Sequence, residues 1–382
     1  MVILEDSDLH AVINCLMITA EQFPLHKIWV QERVSEKLLW LMKSFHFELS
    51  VTIDTFQSVK DIQFYQPKRC VNVTIISIWS EDIVAAKNLA LSLKSHLVFI
   101  NKYMDFYGST VLWPFKSMLF QHLLYKELTI VSQEDETIGQ SKEFSRNVVH
   151  LSSVIKTNDI SIGNLFYDGA WQTPIKGMYW KHNGSLWAQT TCDDFQKCYK
   201  SAVNGLQTWS AMSIKTRIQI LSRLVSVLKS TGKFVLAAIV ERWIKFPYLY
   251  NSIQGFIKSD MIEVMQTRES LGVIIILKEE SENVLFFRLM QTLISGNPVI
   301  VIFDANFCNP SSYFDMFLMC EIPPGVINLL SHEDVSTLEY KLCLDNYTNY
   351  VNEIFLKGTS LEAYILPFKR LTIPKQIIIS LQ

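Results

Sequence analysis

Between Leu271 and Leu330 the chain reads LGVIIILK (271–278), VLFFRLMQTLISGNP (284–298), VIVIF (299–303) and, after a further apolar helix pattern, PPGVINLL (323–330). The order is strand, helix, strand, helix, strand. Ser295-Gly296-Asn297-Pro298 stops the first helix before the second strand, and Pro323-Pro324-Gly325 stops the next helix before the third, because glycine and proline favour a helix end over its interior. The strands are apolar at successive positions, so both their faces are buried, as in a parallel sheet covered by helices. Such sheets often bind nucleotides at the carboxyl ends of their strands. The residues at those ends therefore decide the function.

Working outward, the 382 residues are 49% hydrophobic and 19% charged, which describes a globular chain of about two or three domains and excludes disorder. Net charge is −2, with Lys and Arg dispersed, so nucleic acid is not expected as a partner. No apolar run reaches the ~18 residues of a membrane span. MVILEDSD at the start has no basic region followed by an apolar core, so no secretory signal is read there, and a cytoplasmic protein is expected. Cys15, Cys70, Cys192, Cys198, Cys308, Cys320 and Cys343 form no CxxC pair and have no zinc spacing, so they are expected to be mostly buried thiols without a metal. Asn72, Asn183 and Asn346 open sequons that count as chance matches in such a chain. Glycine is scarce at 13 residues, about half the usual ~7%, and phosphate-binding loops need it for close backbone approach.

Three regions follow from patterning. Residues 1–130 alternate helix and strand patterns: a helix after Asp6 or Ser7, strand KIWVQERV, helix KLLWLMKSF, strand VTIISIW, a helix over 82–93 and strand LVFINKY. Residues 131–160, with SQEDETIGQSKEFSRN, are polar and aperiodic and read as a linker. Residues 161–382 begin with NLFYDGAW and GMYWKHNGSLWAQTT, a pair of hairpin-forming strands with Asn183-Gly184 as turn. Helices follow, one capped by Thr191 or Asp193, one over 213–229 and one near 234–245, then the parallel unit, a strand-turn VNEIFLKGTS and a last strand KQIIISL. Trp171, Trp180 and Trp187 are expected to pack against strands, and the eight isolated histidines to be structural or surface groups.

These segments resemble the aldehyde dehydrogenase superfamily. NLFYDGAW is similar to its first strand motif, F-I-x-G-x-W. DDFQKCYKSAVNGLQTWSAMSIKTRIQILSRLVSVL resembles its first helical pair, and LGVIIIL, SGNPVIVI and PPGVINLLS its nucleotide-binding half. ILEDSDLHAVI, IWVQERV and SIWSEDIVAAKNLALSLKSHLVFIN resemble the later, catalytic and oligomerisation part of a module. The tail half of one module thus precedes the head half of another, an order similar to the central portion of the tandem, two-module family sixteen. The resemblance implies an α/β fold of the three-layer aldehyde-dehydrogenase type, a Rossmann-type parallel sheet with flanking helices. It divides the chain into a catalytic/oligomerisation remnant (1–130), a linker (131–160) and a degenerate NAD-binding half (161–382). It also implies a homodimer or a protein partner, or docking of one half-module on the other.

The superfamily reaction needs a cysteine nucleophile, a Glu base, an oxyanion Asn and bound NAD. On this resemblance the nucleophile loop falls at Ala20-Glu21-Gln22-Phe23-Pro24, with Phe23 where a cysteine belongs. Cys15 lies on the preceding helix pattern and reads as a core thiol. Ser380 falls at the general base, and Ser281, a helix-cap residue type, at the oxyanion Asn. Asp304 follows the strand where a ribose-binding Lys is expected. The phosphate turn becomes Gly358-Thr359-Ser360-Leu361-Glu362-Ala363, which keeps one glycine, so Gly358, Thr359 and Ser360 are vestigial cofactor contacts. KDIQFYQPKRC has no counterpart of the second ribose-binding Glu, and Pro114-Phe115-Lys116-Ser117 lacks the glycines of a late turn. The expectation is a pseudoenzyme that acts as scaffold or interaction module and binds no cofactor, with NAD the candidate if any. The alternative is an NAD-dependent oxidoreductase acting on aldehyde or oxo groups, with a thiolate such as Cys15 supplied by loop rearrangement.

Overall fold

The computed structural model describes residues 1–19, 25–46, 51–62, 74–104, 148–150, 161–251, 256–258, 262–277, 281–303, 311–334 and 362–380. In chain order the elements begin with β1 (Val2–Ile3), α1 (Leu9–Thr19), β2 (Lys27–Gln31), α2 (Glu32–Ser44), β3 (Thr52–Phe56), β4 (Ile75–Trp79), α3 (Ile83–Ser92) and β5 (Leu97–Ile100). Short strands follow: β6 (Val148–His150), β7 (Ile162–Gly163), β8 (Leu165–Tyr167), β9 (Ala170–Gln172), β10 (Met178–His182) and β11 (Ser185–Ala188). Next are α4 (Cys192–Ala211), α5 (Ile214–Ser230) and α6 (Phe234–Asn251). The rest comprises β12 (Phe256–Lys258), β13 (Ile262–Ser270), β14 (Ile274–Leu277), α7 (Glu282–Ile294), β15 (Val299–Phe303), α8 (Ser311–Met319), β16 (Ile327–Ser331), α9 (Glu362–Arg370) and β17 (Thr372–Ser380). Two compact units result: Met1–Ile138 with Gln254–Arg268 and Pro374–Gln382, and Gly139–Ile253 with Glu269–Ile373.

The second unit contains the diagnostic stretch. Its sheet runs β14-β15-β16-β8-β9, with the first three strands parallel in the register Ile274↔Val299↔Ile327. Side chains alternate between two cores with the strand period of two. Ile274, Ile276, Val299, Val301, Phe303, Ile327 and Leu329 face residues of α5 to α8. Val273, Ile275, Ile300, Ile302 and Leu330 face Phe195, Cys198 and Ala202 of α4. This makes the expected parallel sheet between helical layers. Helix ends are set by local chemistry: Thr191 and Asp194 form a reciprocal capping box on α4, and Ser213 caps α5. The α4 helix approaches β16 closely because both partners are glycines. A Cβ at Gly205 would lie 2.4 Å from the carbonyl carbon of Gly325, itself at φ +78°.

Some details depart from expectation. NLFYDGAW folds back on itself as β8 and β9, with Asp168 and Gly169 both at positive φ (54° and 71°), while Asn183-Gly184 turns β10 into β11 as expected. Asp-Gly is as strong a signal for such a turn as Asn-Gly. Within the stretch expected as linker, Val148–His150 pairs antiparallel with β10. The α6 helix continues to Asn251 through Pro247, past the expected end near residue 245. VNEIFLKGTS lies outside the described residues.

The first unit is built on an eight-stranded sheet ordered β12-β13-β17-β5-β4-β1-β2-β3. Strands β17, β5, β4, β1, β2 and β3 are mutually parallel. The chain starts in the middle at β1, steps outward to β2 and β3, returns to the other side of β1 as β4, and continues to β5. That reversal puts helices on opposite faces. Residues of α1 and α2 pack with Ile3, Ile28 and Val30, whereas Ala86, Leu89 and Ala90 of α3 pack with Val2, Trp29, Ile76 and Ile78. Asp8, rather than Asp6 or Ser7, starts α1, its carboxylate accepting from the amides of His10 and Ala11 (3.0 and 3.2 Å). The strand expected to run through KIWVQERV stops at Gln31, where α2 begins. The last strand, β17, is the neighbour of β5 and β13, and its buried Lys375 donates to the carbonyls of Leu91 and Leu93 at the end of α3, where a cation suits the helix dipole. No helix among the described residues is long and apolar enough to cross a membrane.

Candidate functional site

In the second unit the carboxyl ends of β15 and β16 are covered by residues that end the β10–β11 hairpin. The Trp187 ring lies 4.5 Å from that of Phe303, the last residue of β15. At the tip of β16, Ser331 Oγ donates to the Ala188 carbonyl (2.5 Å), and the Ser331 carbonyl accepts from Thr190 through both its amide (3.0 Å) and its hydroxyl (2.6 Å). The next loop is tied down as well: the Glu333 amide donates to Gln189 Oε1 (3.1 Å). Gln189 Nε2 and the Asp334 amide each lie 3.0 Å from a ring nitrogen of His332. Both are donors, and a neutral imidazole has a single acceptor nitrogen, so His332 serves one of them at a time.

The sequence-derived site residues that are described fall in both units. Ser281 is the N-cap of α7, its Oγ accepting from the Val284 amide at 3.4 Å, as its residue type suggests. Ser380 is the last residue of β17 in the other unit. Cys15 is half-buried on α1 and packs against the Ile3, Leu16 and Ile28 core. Phe23, Asp304, Gly358, Thr359, Ser360 and residues 114–117 lie outside the described residues, and so do Cys70, Cys308 and Cys343. Ala363 falls in α9.

Two of the described thiols are held in the protonated form. Burial, with Asp168 and Asp194 nearby, pushes the Cys198 thiol well above its ordinary range. Burial pushes Cys320 up to about 11, despite the opposing charge of Arg223. Neither supplies thiolate at neutral pH, the form a nucleophile needs. Among the described residues no group of three or more His, Cys, Asp or Glu could hold a metal ion.

A second polar constellation was not singled out in the sequence. At the carboxyl ends of β1 and β4, the Asp6 carboxylate accepts from Ser80 Oγ (2.8 and 3.0 Å) and the Asp82 amide (2.8 Å). Asn101, at φ 56°, bonds both the amide and the carbonyl of Ser80 (2.9 and 2.8 Å). Burial raises the Asp6 pKa, but the hydrogen bonds from Asp82 and Ser80 outweigh it and hold the carboxyl below its ordinary value. The available signal was the similarity of the two strand tips, Leu4-Glu5-Asp6-Ser7 and Trp79-Ser80-Glu81-Asp82.

No protein-family model matches the sequence, and no curated protein matches it. Solved structures do. A salicylaldehyde dehydrogenase from Pseudomonas putida G7 is 19% identical with a TM-score of 0.39, over 49% of this chain and 45% of that one. A putative methylmalonate-semialdehyde dehydrogenase from Sinorhizobium meliloti 1021, complexed with NAD, is 14% identical with a TM-score of 0.41, over 48% and 43%. HpcC from Thermus thermophilus is 16% identical with a TM-score of 0.38, over 44% and 39%. The chain spans less than half the length of each of these three structures. The likeness is one of α/β arrangement, and what the chain does is argued from its own residues.

Proposed function

We propose that this chain is an aldehyde-dehydrogenase-like protein that lacks the superfamily's reaction and acts as a scaffold or interaction module. One observation carries the reading. The sheet edge where a dinucleotide would be held is occupied by the protein's own groups, with Glu333 N–H bound by Gln189, the tip of β16 bound by Ala188 and Thr190, and Phe303 covered by Trp187. A pyrophosphate needs unengaged backbone amides, whereas the Glu333 and Asp334 amides are bound by Gln189 and His332. The described groups at this edge do not fit NAD, and no step is routed through it.

Supporting this, Ser281 is spent on a helix cap and the Cys198 and Cys320 thiols are held protonated. In this reading the parallel sheet and its helices are kept for packing. The test is to incubate the full chain with NAD and a panel of aliphatic and aromatic aldehydes and follow NADH absorbance. No NADH above the protein-free rate is expected. Turnover that is lost on substitution of Cys15 would establish the oxidoreductase alternative and end this proposal.

A further inference from the structure

We infer that the outward face of α2 pairs with the same face of a second copy of this chain, the two helices running antiparallel about a two-fold axis. Helix positions three, four and seven apart share one face. In α2 the buried Leu38, Leu41 and Met42 form the inner face, and Glu36, Leu39, Trp40 and Lys43 form a stripe on the opposite side. All four are exposed, Leu39 at 45% and Trp40 at 65%. The α1 helix shares the same core and also turns apolar groups outward, with Met17 45% and Ile18 72% exposed. A solvated helix face is ordinarily polar, and an exposed Trp between charged residues is the residue type that most often anchors an interface.

The order of the stripe selects the occupant. It has an acid at its amino-terminal end (Glu36), two apolar residues in the middle and a base at its carboxyl-terminal end (Lys43). Among the described residues neither Glu36 nor Lys43 has an ion-pair partner, whereas Arg33, one turn before Glu36, is paired with Glu5 (2.9 Å). A two-fold interface must complement itself. With the axis between Leu39 and Trp40, antiparallel helices bring Glu36 of each copy to the partner's Lys43 and Leu39 to the partner's Trp40. Parallel helices would bring each charge to its like, and an anionic lipid surface would oppose Glu36. The apolar centre supplies the affinity, because exposed ion pairs contribute little, and the charges set direction and register. A helix face about 20 Å long is small beside a standard interface, so the dimer is weak, with a dissociation constant of about 10–100 μM. This names a partner for the proposed interaction module and rests on that reading for its role.

Sedimentation equilibrium of the full chain from micromolar to submillimolar concentration tests it, with Trp40→Ala, Glu36→Lys, Lys43→Glu and the double variant Glu36→Lys/Lys43→Glu. The parent's mass is expected to rise from that of one chain to that of two. Trp40→Ala should weaken the dimer about tenfold. Glu36→Lys and Lys43→Glu should each do so too, because each sets like charges opposite one another twice per dimer. The double variant should associate like the parent, and an equimolar mixture of the two single charge variants should form a mixed dimer. Both charged residues are exposed, and the mixed dimer itself shows that each variant is folded. The inference is overturned by a single-chain mass at every concentration, by charge variants that associate like the parent, or by a double variant or mixture that stays monomeric. Sedimentation of a monomeric chain with phosphatidylserine vesicles would assign the face to a membrane and overturn it as well. A monomeric parent that makes no NADH removes this interface and leaves the non-catalytic reading in place, whereas a dimer that turns over aldehyde does the reverse.

Discussion

Gly205 shows how one atom positions an element. Its missing Cβ lets α4 lie against the backbone of Gly325, and backbone cannot move aside as a flexible side chain can. Gly205→Ala is expected to cost about 2 kcal/mol or more, measured by urea unfolding, and an unchanged midpoint would mean the contact is not tight. The cysteines give an ordering. Among the described cysteines, exposed Cys192 should label first with iodoacetamide at neutral pH, and Cys320 and Cys198 slowly; peptide mass spectrometry with Cys198 labelled before Cys192 would contradict the buried-thiol assignment. Asp6 gives a pH dependence. Its folded pKa is depressed, so its contribution is fully present above the ordinary carboxylate pKa of about 3.9 and is lost as pH falls through the lower folded value. Asp6→Asn should therefore lose less stability than the parent on acidification below that range, as read by thermal melts. Identical acid profiles would remove Asp6 from the account. At this scale the sequence was legible where the chemistry is local: Thr191 and Ser213 cap the helices they precede, and Ser281 does the same. It was not legible for Asp6, whose residue type suits a helix cap but whose partners Ser80 and Asp82 lie more than seventy positions away.

The turn between α7 and β15 is more than a helix stop. Asn297 is fully buried, and its side chain accepts from the Gly272 amide (2.9 Å) and donates to the Leu371 carbonyl (2.9 Å), tying the starts of β14 and β17 to the turn. Gly296, at φ +86°, leaves room for Arg217, whose guanidinium occupies the space a Cβ would fill. Asn297→Ala leaves the half-buried Gly272 amide without its acceptor and the Leu371 carbonyl with the Leu271 amide alone, and is expected to cost about 1–2 kcal/mol; a loss below about 0.5 kcal/mol would show that water replaces the side chain. The strands and helices of 271–330 were readable because their period and stop signals lie within a few residues of one another. β13 was not, since IEVMQTRES carries mixed polarity and a mostly half-buried face. The lock at the tip of β16 was equally hidden, because Thr190 and Ser331 meet only once two distant hairpin and sheet elements are placed.

Strand order is a property of the whole chain, and here it changes the account most. The first unit takes β1 to β5 from the start of the sequence and β12, β13 and β17 from beyond residue 250. Residues 1–138 expressed alone should be insoluble or molten, since β5 would become an unpaired hydrophobic edge, and adding residues 139–382 in the same cell should restore soluble material. A cooperative unfolding transition of 1–138 alone would refute that dependence. Helix and strand patterns gave the α/β class but not this interleaving, because nothing local to β17 says which strand it will join. The same holds for the chemistry: replacements at Phe23, Ser281 and Ser380 could be read one at a time, whereas the self-occupied sheet edge required the fold. The central claim is that this edge no longer accepts a dinucleotide. Calorimetric titration of the full chain with NAD tests it most directly. No saturable heat up to millimolar NAD is the predicted result, and micromolar binding that is weakened by substituting Gln189 or Glu333 would contradict it.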